Sequence, residues 1–227
     1  MNYDSLNEEM TNKVEIAGIV LDNPVFSHEI DGEKFFECKI EIERLSKSKD
    51  IVPVIFSERT LLGEGVKKSD FVRVNGEYRS LNKMDGERSR LILYVFAKEI
   101  EFSSERKFVN DVKLSGFLCK EPIYRKTPFG REICDILLAV NRTNYHKSDY
   151  VPCIIWGRNA RFISGQQIGC KIEIGGRIQS RVYTKNLEDG KTIEKTAYEI
   201  SCYKTIVVSN VSPISFEEKE KNEDMIG

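Results

Sequence analysis

The chain repeats itself once, and that repeat limits the folds open to it. Val14-Glu-Ile-Ala-Gly18 returns 98 positions later as Val112-Lys-Leu-Ser-Gly116, and Pro24, Phe26 and Gly32 return as Pro122, Tyr124 and Gly130 at the same offset. Glu37–Arg44 and Asp135–Arg142 keep it. Val52-Pro53 then matches Val151-Pro152 at 99, Val74-Asn-Gly76 matches Ile174-Gly-Gly176 at 100, and Ser80 falls against Ser180. A drift of one or two residues is what loop insertions leave behind. Two long copies make a duplicated domain, since a solenoid needs more and shorter repeats.

Each copy reads as five strands. In the second they are about Val112–Cys119, Ile133–Thr143, Tyr150–Arg158, Lys171–Thr184 and Ile193–Val208, with a helical stretch Asn159–Gly165 between the third and fourth. Gly116, Gly130, Gly175 and Gly176 fall where a strand bends or a loop turns. Asn186–Gly190 reads as the loop between the last two strands, with Asp189-Gly190 as its turn signal. The first copy follows the same scheme over Val14–Phe102, with a shorter loop at Asn82–Glu87. Five strands with a helix after the third predict an all-β chain of two tandem OB-folds, which are five-stranded Greek-key barrels. The expected layout is a disordered segment 1–12, a first OB-fold 13–105, a second 106–210, and a disordered acidic tail 211–227.

Net charge is near zero, but it is unevenly spread. Residues 1–105 carry 15 Lys+Arg against 21 Asp+Glu, residues 106–212 carry 18 against 10, and residues 213–227 carry 2 against 5. A basic segment between acidic flanks suggests a polyanion partner for the second copy. No run is long and apolar enough for a membrane span, and the N-terminus lacks a signal-peptide layout, so a cytoplasmic protein is expected. Cys38, Cys119, Cys134, Cys153, Cys170 and Cys202 form no C-x-x-C pair and read as buried free thiols, with no metal and no cofactor implied. His28 and His146 both fall near predicted loops and join no catalytic cluster, and no phosphate-binding loop or dinucleotide fingerprint occurs, so no enzyme is expected.

The third strand of the second copy, Tyr150–Gly157, alternates. Val151, Cys153 and Ile155 point one way; Tyr150, Pro152, Ile154 and Trp156, the single tryptophan, point the other. That second face suits base stacking among cations, or else is core with Trp156 as filler. The fourth strand splits as well: Ile172, Ile174 and Ile178 share one parity, and Arg177, Gln179, Arg181 and Tyr183 the other. A core strand needs no such cationic face.

NDVKLSGFLCKEPIYRKTPFGREICDILLAVNRT, DYVPCIIWGRNA and IEIGGRIQSRVY, in that order and spacing over Asn110–Val208, resemble bacterial single-stranded DNA-binding proteins of the SSB family, the first copy more faintly. The resemblance implies sequence-independent binding and protection of single-stranded DNA in replication, recombination and repair. It assigns stacking to Tyr150, Trp156 and Tyr183, with Tyr145 as a further aromatic. Phosphate binding falls to Arg125, Lys126, Arg142, Arg158, Arg177 and Arg181, although Arg142 also suits pinning a strand end. Two-OB members typically form homodimers, so a homodimer in the bacterial cytoplasm and nucleoid is expected.

The first copy departs from the pattern: Ile51, Ser57 and about Lys83 occupy the three stacking positions. It is therefore expected to support assembly or a partner, with Phe26, Arg79, Lys83, Arg88 and Arg90 near any wrapped strand. The tail is acidic then apolar at Glu223-Asp-Met-Ile226 but lacks the family's proline-aromatic end, so a tail that discourages non-specific binding is as well supported as one that recruits replication or repair proteins. A primosome-type accessory protein that docks proteins, and a single-stranded RNA binder, stay open as alternatives.

Overall fold

The computed structural model describes residues 11–60, 65–85, 88–142, 147–186 and 192–209. Tyr145, His146, most of the Asn186–Gly190 loop, the first ten residues and the tail beyond 209 lie outside the described residues.

The chain forms two β-barrels. The first uses β1 (Asn12–Val20), β3 (Glu33–Glu43), β4 (Lys49–Ser57), β5 (Phe71–Asp85) and β6 (Arg88–Phe102), with β2 (Val25–Ile30) as an outer hairpin strand on β3. The second uses β7 (Val109–Leu118), β9 (Glu132–Asn141), β10 (Ser148–Trp156), β11 (Lys171–Asn186) and β12 (Thr192–Ser209), with β8 (Ile123–Lys126) on β9. Helix α1 (Arg158–Ser164) follows β10, and a short 3-10 turn, Glu58–Thr60, takes its place in the first barrel. The order is that of an OB-fold: the third strand pairs in parallel with the fifth, and the first pairs with both the second and the fourth. The outer strands β2 and β8 were not foreseen. They are short, and their turn signals read as loop.

Alternation builds each barrel. In β9, Cys134, Ile136, Leu138 and Val140 are buried while the residues between them face outward. Closure requires β1 to leave β5 and meet β3 at Ile19 and Val20. Gly18 sits at that switch, and a Cβ there would stand 2.2 Å from the Glu41 carbonyl oxygen. Register shifts at Asn75/Gly76 and Gly175/Gly176 bend the fourth strands, as the glycine positions suggested.

The barrels join through antiparallel pairing of β1 with β7. Val14 pairs with Val112, its own repeat counterpart, so a pseudo-two-fold axis runs through that pair. The contacts repeat across the axis. Asn12 exchanges side-chain hydrogen bonds of 2.8 Å with the Tyr78 backbone, and Asn110 does the same with Ile178 at 2.8 and 2.9 Å. The aliphatic cores of both barrels merge into one buried cluster.

Candidate nucleic-acid interface

The outward faces of β10, β12 and β11 are neighbours on the second barrel. Ile154 lies opposite Ser201, which lies opposite Arg177, and Glu199 lies opposite Gln179. Trp156 is half-buried at the end of β10, and its Nε1 donates to the Ser201 hydroxyl at 3.1 Å, which fixes the ring plane. Tyr150 is 42% exposed and Tyr183 38%. Tyr183 and Arg181 stand where β11 and β12 pair only with each other, on an arm beyond the barrel. Ile154 is the exception on the displayed face of β10, since it is buried.

The predicted cations divide into two groups. Lys126, Arg158 and Arg181 are exposed and make no hydrogen bond or ion pair to another described residue. Arg125 is exposed but held by Asp135, with Nη2 donating at 3.1 Å.

Arg142 and Arg177 belong to the seam between barrels. Asp149 is buried; it accepts from Arg142 Nε at 2.9 Å and Nη2 at 2.6 Å and from the Ser80 N–H at 2.6 Å. Arg142 also donates to the Ser80 carbonyl at 3.0 Å, and the Ser80 hydroxyl accepts from the Tyr150 N–H at 2.8 Å. The pseudo-symmetric seam repeats this with Arg44, buried Asp50 and Ser180, whose N–H donates to Asp50 at 2.9 Å. Arg177 adds a further bond to Asp50 at 3.2 Å and one to Gln179 at 2.9 Å. Both arginines were expected on the phosphate track, Arg142 with strand-end pinning as its other reading; the structure engages Arg142 Nε and Nη2 in the clasp, because a buried carboxylate requires its countercharge. The first barrel thus holds Tyr150 in place through Ser80.

Electrostatics sharpen the site. Burial raises the Glu199 pKa; Arg181 opposes this rise and Asp135 adds to it. Burial lowers the Arg177 pKa, and Arg44 beside it pushes the same way. Donation to the Asp149 carboxylate raises that of Arg142.

In the first barrel, Ile51 is exposed and Ser57 buried, so neither position offers a ring. A ring cluster there escaped sequence reasoning. His28, in β2 close to the Asp31-Gly32 turn, stacks on Phe35 at 4.7 Å between centroids; Phe35 packs on Phe96, and the Arg79 guanidinium caps Phe96 at 4.4 Å. Phe96 faces outward on β6 at the position of Ser201, one strand over from where Trp156 stands in the second barrel. The alternation of Tyr94, Phe96 and Lys98 between Leu93, Val95 and Ala97 was its signal.

A family model described as the single-strand binding protein family matches residues 109–207. The chain is 34% identical over 91 residues to single-stranded DNA-binding protein 2 of Listeria monocytogenes, covering 37% of this chain and 56% of that one. It is 33% identical over 100 residues to single-stranded DNA-binding protein 1 of Staphylococcus aureus, covering 41% and 58%. The chain therefore spans a little over half the length of these curated relatives. The wild-type single-stranded DNA binding protein of Thermus aquaticus superposes with a TM-score of 0.68 at 19% identity over 92% of this chain and 98% of that one. A deletion mutant of the same Thermus protein gives 0.70 at 17% over 90% and 97%. At such identity the likeness is one of fold, and it extends across both barrels.

Proposed function

Because residues 109–207 match the single-strand binding protein family model, we propose that the chain is a member of that family and that it binds and protects single-stranded DNA without sequence preference, in replication, recombination and repair. The observation that carries this reading is the outward face of β10, β12 and β11, where Trp156, Tyr150 and Tyr183 offer rings beside Arg181, and Lys126 and Arg158 stand open. Bases stack on the rings and cations neutralise phosphates. Every base has a π-face, so sequence matters little, and a duplex hides those faces. The work is binding, not catalysis.

Labour is divided near residue 105. The second barrel, 106–210, is the DNA platform. The first, 13–105, is acidic at its surface and supports assembly. A second copy covers the back of the sheet, where Phe117, Tyr203, Ile206 and Val208 are exposed, to give a homodimer in the bacterial cytoplasm. Replication or repair proteins dock on the tail or the first barrel.

The test is titration with oligo-dT while following Trp156 fluorescence. Quenching that weakens with salt and resists duplex competitor is expected. Unchanged emission with no binding would turn the reading to protein docking, and preference for oligo-U would turn it to RNA.

A further inference from the structure

We propose that the seam on the Asp50 side is a second anion site, where a backbone phosphate of the same DNA strand is gripped by both barrels as the strand passes from the second to the first. This rests on the single-stranded DNA reading and extends it to the first barrel. A cavity of about 690 Å³ opens at this seam between the β3–β4 turn of the first barrel and the start of β7. Arg44 and Lys47 line it from one side, and Lys107 and Arg177 from the other, with Leu45 and Phe108 as apolar wall. Only two carboxylates oppose these four cations among the described residues nearby: Glu43, bound by Lys47, and Asp50 beneath Arg44 and Arg177. The site therefore carries a surplus of two positive charges.

Two guanidiniums share one buried carboxylate here, and each keeps one nitrogen without a hydrogen-bond partner among the described residues. Arg44 gives Nε and Nη2 to Asp50, which leaves Nη1. Arg177 gives Nη1 to Asp50 and Nη2 to Gln179, which leaves Nε. An anion between them would relieve the repulsion that lowers the Arg177 pKa alongside burial.

The two seams differ, although the repeat makes them pseudo-symmetric. Where Arg177 stands at one, Glu77 stands at the other, and its charge supports Arg142. Glu77 itself sits low despite burial, because Lys98 and Arg79 donate to it. The geometry thus points to a crossing at one seam only. The platform leads there. Arg177 lies four residues from Arg181 on the same face of β11, roughly 13 Å along the strand. It also lies in line with Ser201 and the Trp156 indole, about two strand spacings, or ~10 Å, across the sheet.

The test uses the full chain carrying Lys47→Glu and Lys107→Glu together. Both side chains are exposed, Lys47 at 83%, so the buried clasp is untouched. Two probes are titrated against Trp156 fluorescence across salt: an oligo-dT of about 8 nucleotides, which one barrel accommodates, and one of about 30, which exceeds it. The short probe should bind the variant as it binds the wild type. The long probe should lose about 0.7 of salt slope per lost phosphate contact and occlude fewer nucleotides per chain. A long-probe slope equal to wild type overturns the seam site while leaving the platform. An equal loss from Lys98→Glu at the other seam overturns the choice of crossing. Wild-type protein that binds neither probe overturns the single-strand reading itself, and this inference with it.

Discussion

Arg142→Ala separates a clasp from a phosphate contact. Asp149 has 1% of its side chain exposed and Arg142 19%, so the pair is largely out of water. Removing the guanidinium takes two donors from a buried carboxylate. Breaking such a pair costs about 3–5 kcal/mol. The Ser80 N–H still donates to Asp149, and solvent reaches the edge of Arg142, so a loss of about 3 kcal/mol is expected. For a chain of this size that lowers the thermal midpoint by roughly 6–12 °C. Adding Asp149→Asn to the variant should restore at least ~1 kcal/mol, because a neutral amide needs no countercharge and can still accept from Ser80. Circular dichroism melts of the wild type, the single and the double variant measure these differences. A loss under about 1 kcal/mol, together with a salt slope for oligo-dT shallower by ~0.7, would refute the clasp and return Arg142 to the phosphate track.

Other perturbations follow from the same geometry. Trp156→Ala should weaken oligo-dT binding by about 1–3 kcal/mol, the value of one stacked base, measured by filter binding; unchanged affinity removes the residue from the platform. Glu199 faces Gln179, Arg181, Asp135 and Arg125, and burial raises its pKa. Its contribution to stability is therefore present at acidic pH and lost as pH rises through the raised folded value. Its charge also opposes phosphate, so binding should strengthen as pH falls through that range, and Glu199→Gln should flatten this part of the profile. An unaltered profile would place the strand away from β12. Burial pushes the Cys38 thiol up to about 12 and Cys134 to about 11, and five of the six thiols are buried. Ellman's reagent at neutral pH should label Cys119 first and the others only on unfolding; rapid labelling of several would contradict the packing.

The tandem repeat, the ten barrel strands, the helix after β10 and the alternation that puts Trp156 and Tyr183 on outward positions were legible in the sequence. They depend on neighbours along the chain, where a period of two and the glycine positions report directly. Parity likewise separated Arg177 and Arg181 from the isoleucines of β11. It did not say what each guanidinium would meet. Arg181 reaches solvent on the free arm, while Arg177, four residues earlier, turns into Asp50 of the other barrel. Arg142 suited both a phosphate ligand and a strand-end pin, and sequence did not choose between them because Asp149, its partner, is seven residues away and Ser80 is sixty-two. The recurrence of Arg44 with Asp50 and Arg142 with Asp149 was visible as pattern, but its purpose was not, since a buried carboxylate is recognised only by what encloses it. The Phe96 cluster was hidden for a similar reason: its aromatic moved from the third strand to the fifth, adjacent in the barrel but distant in sequence. The internal repeat and the period of two were enough for two OB-folds and for most strand faces, Ile154 excepted. That the barrels share one core and two clasps follows from packing alone, because the core joins across β1 and β7 and the clasps join β5 to β10 and β4 to β11, between residues that no local period connects.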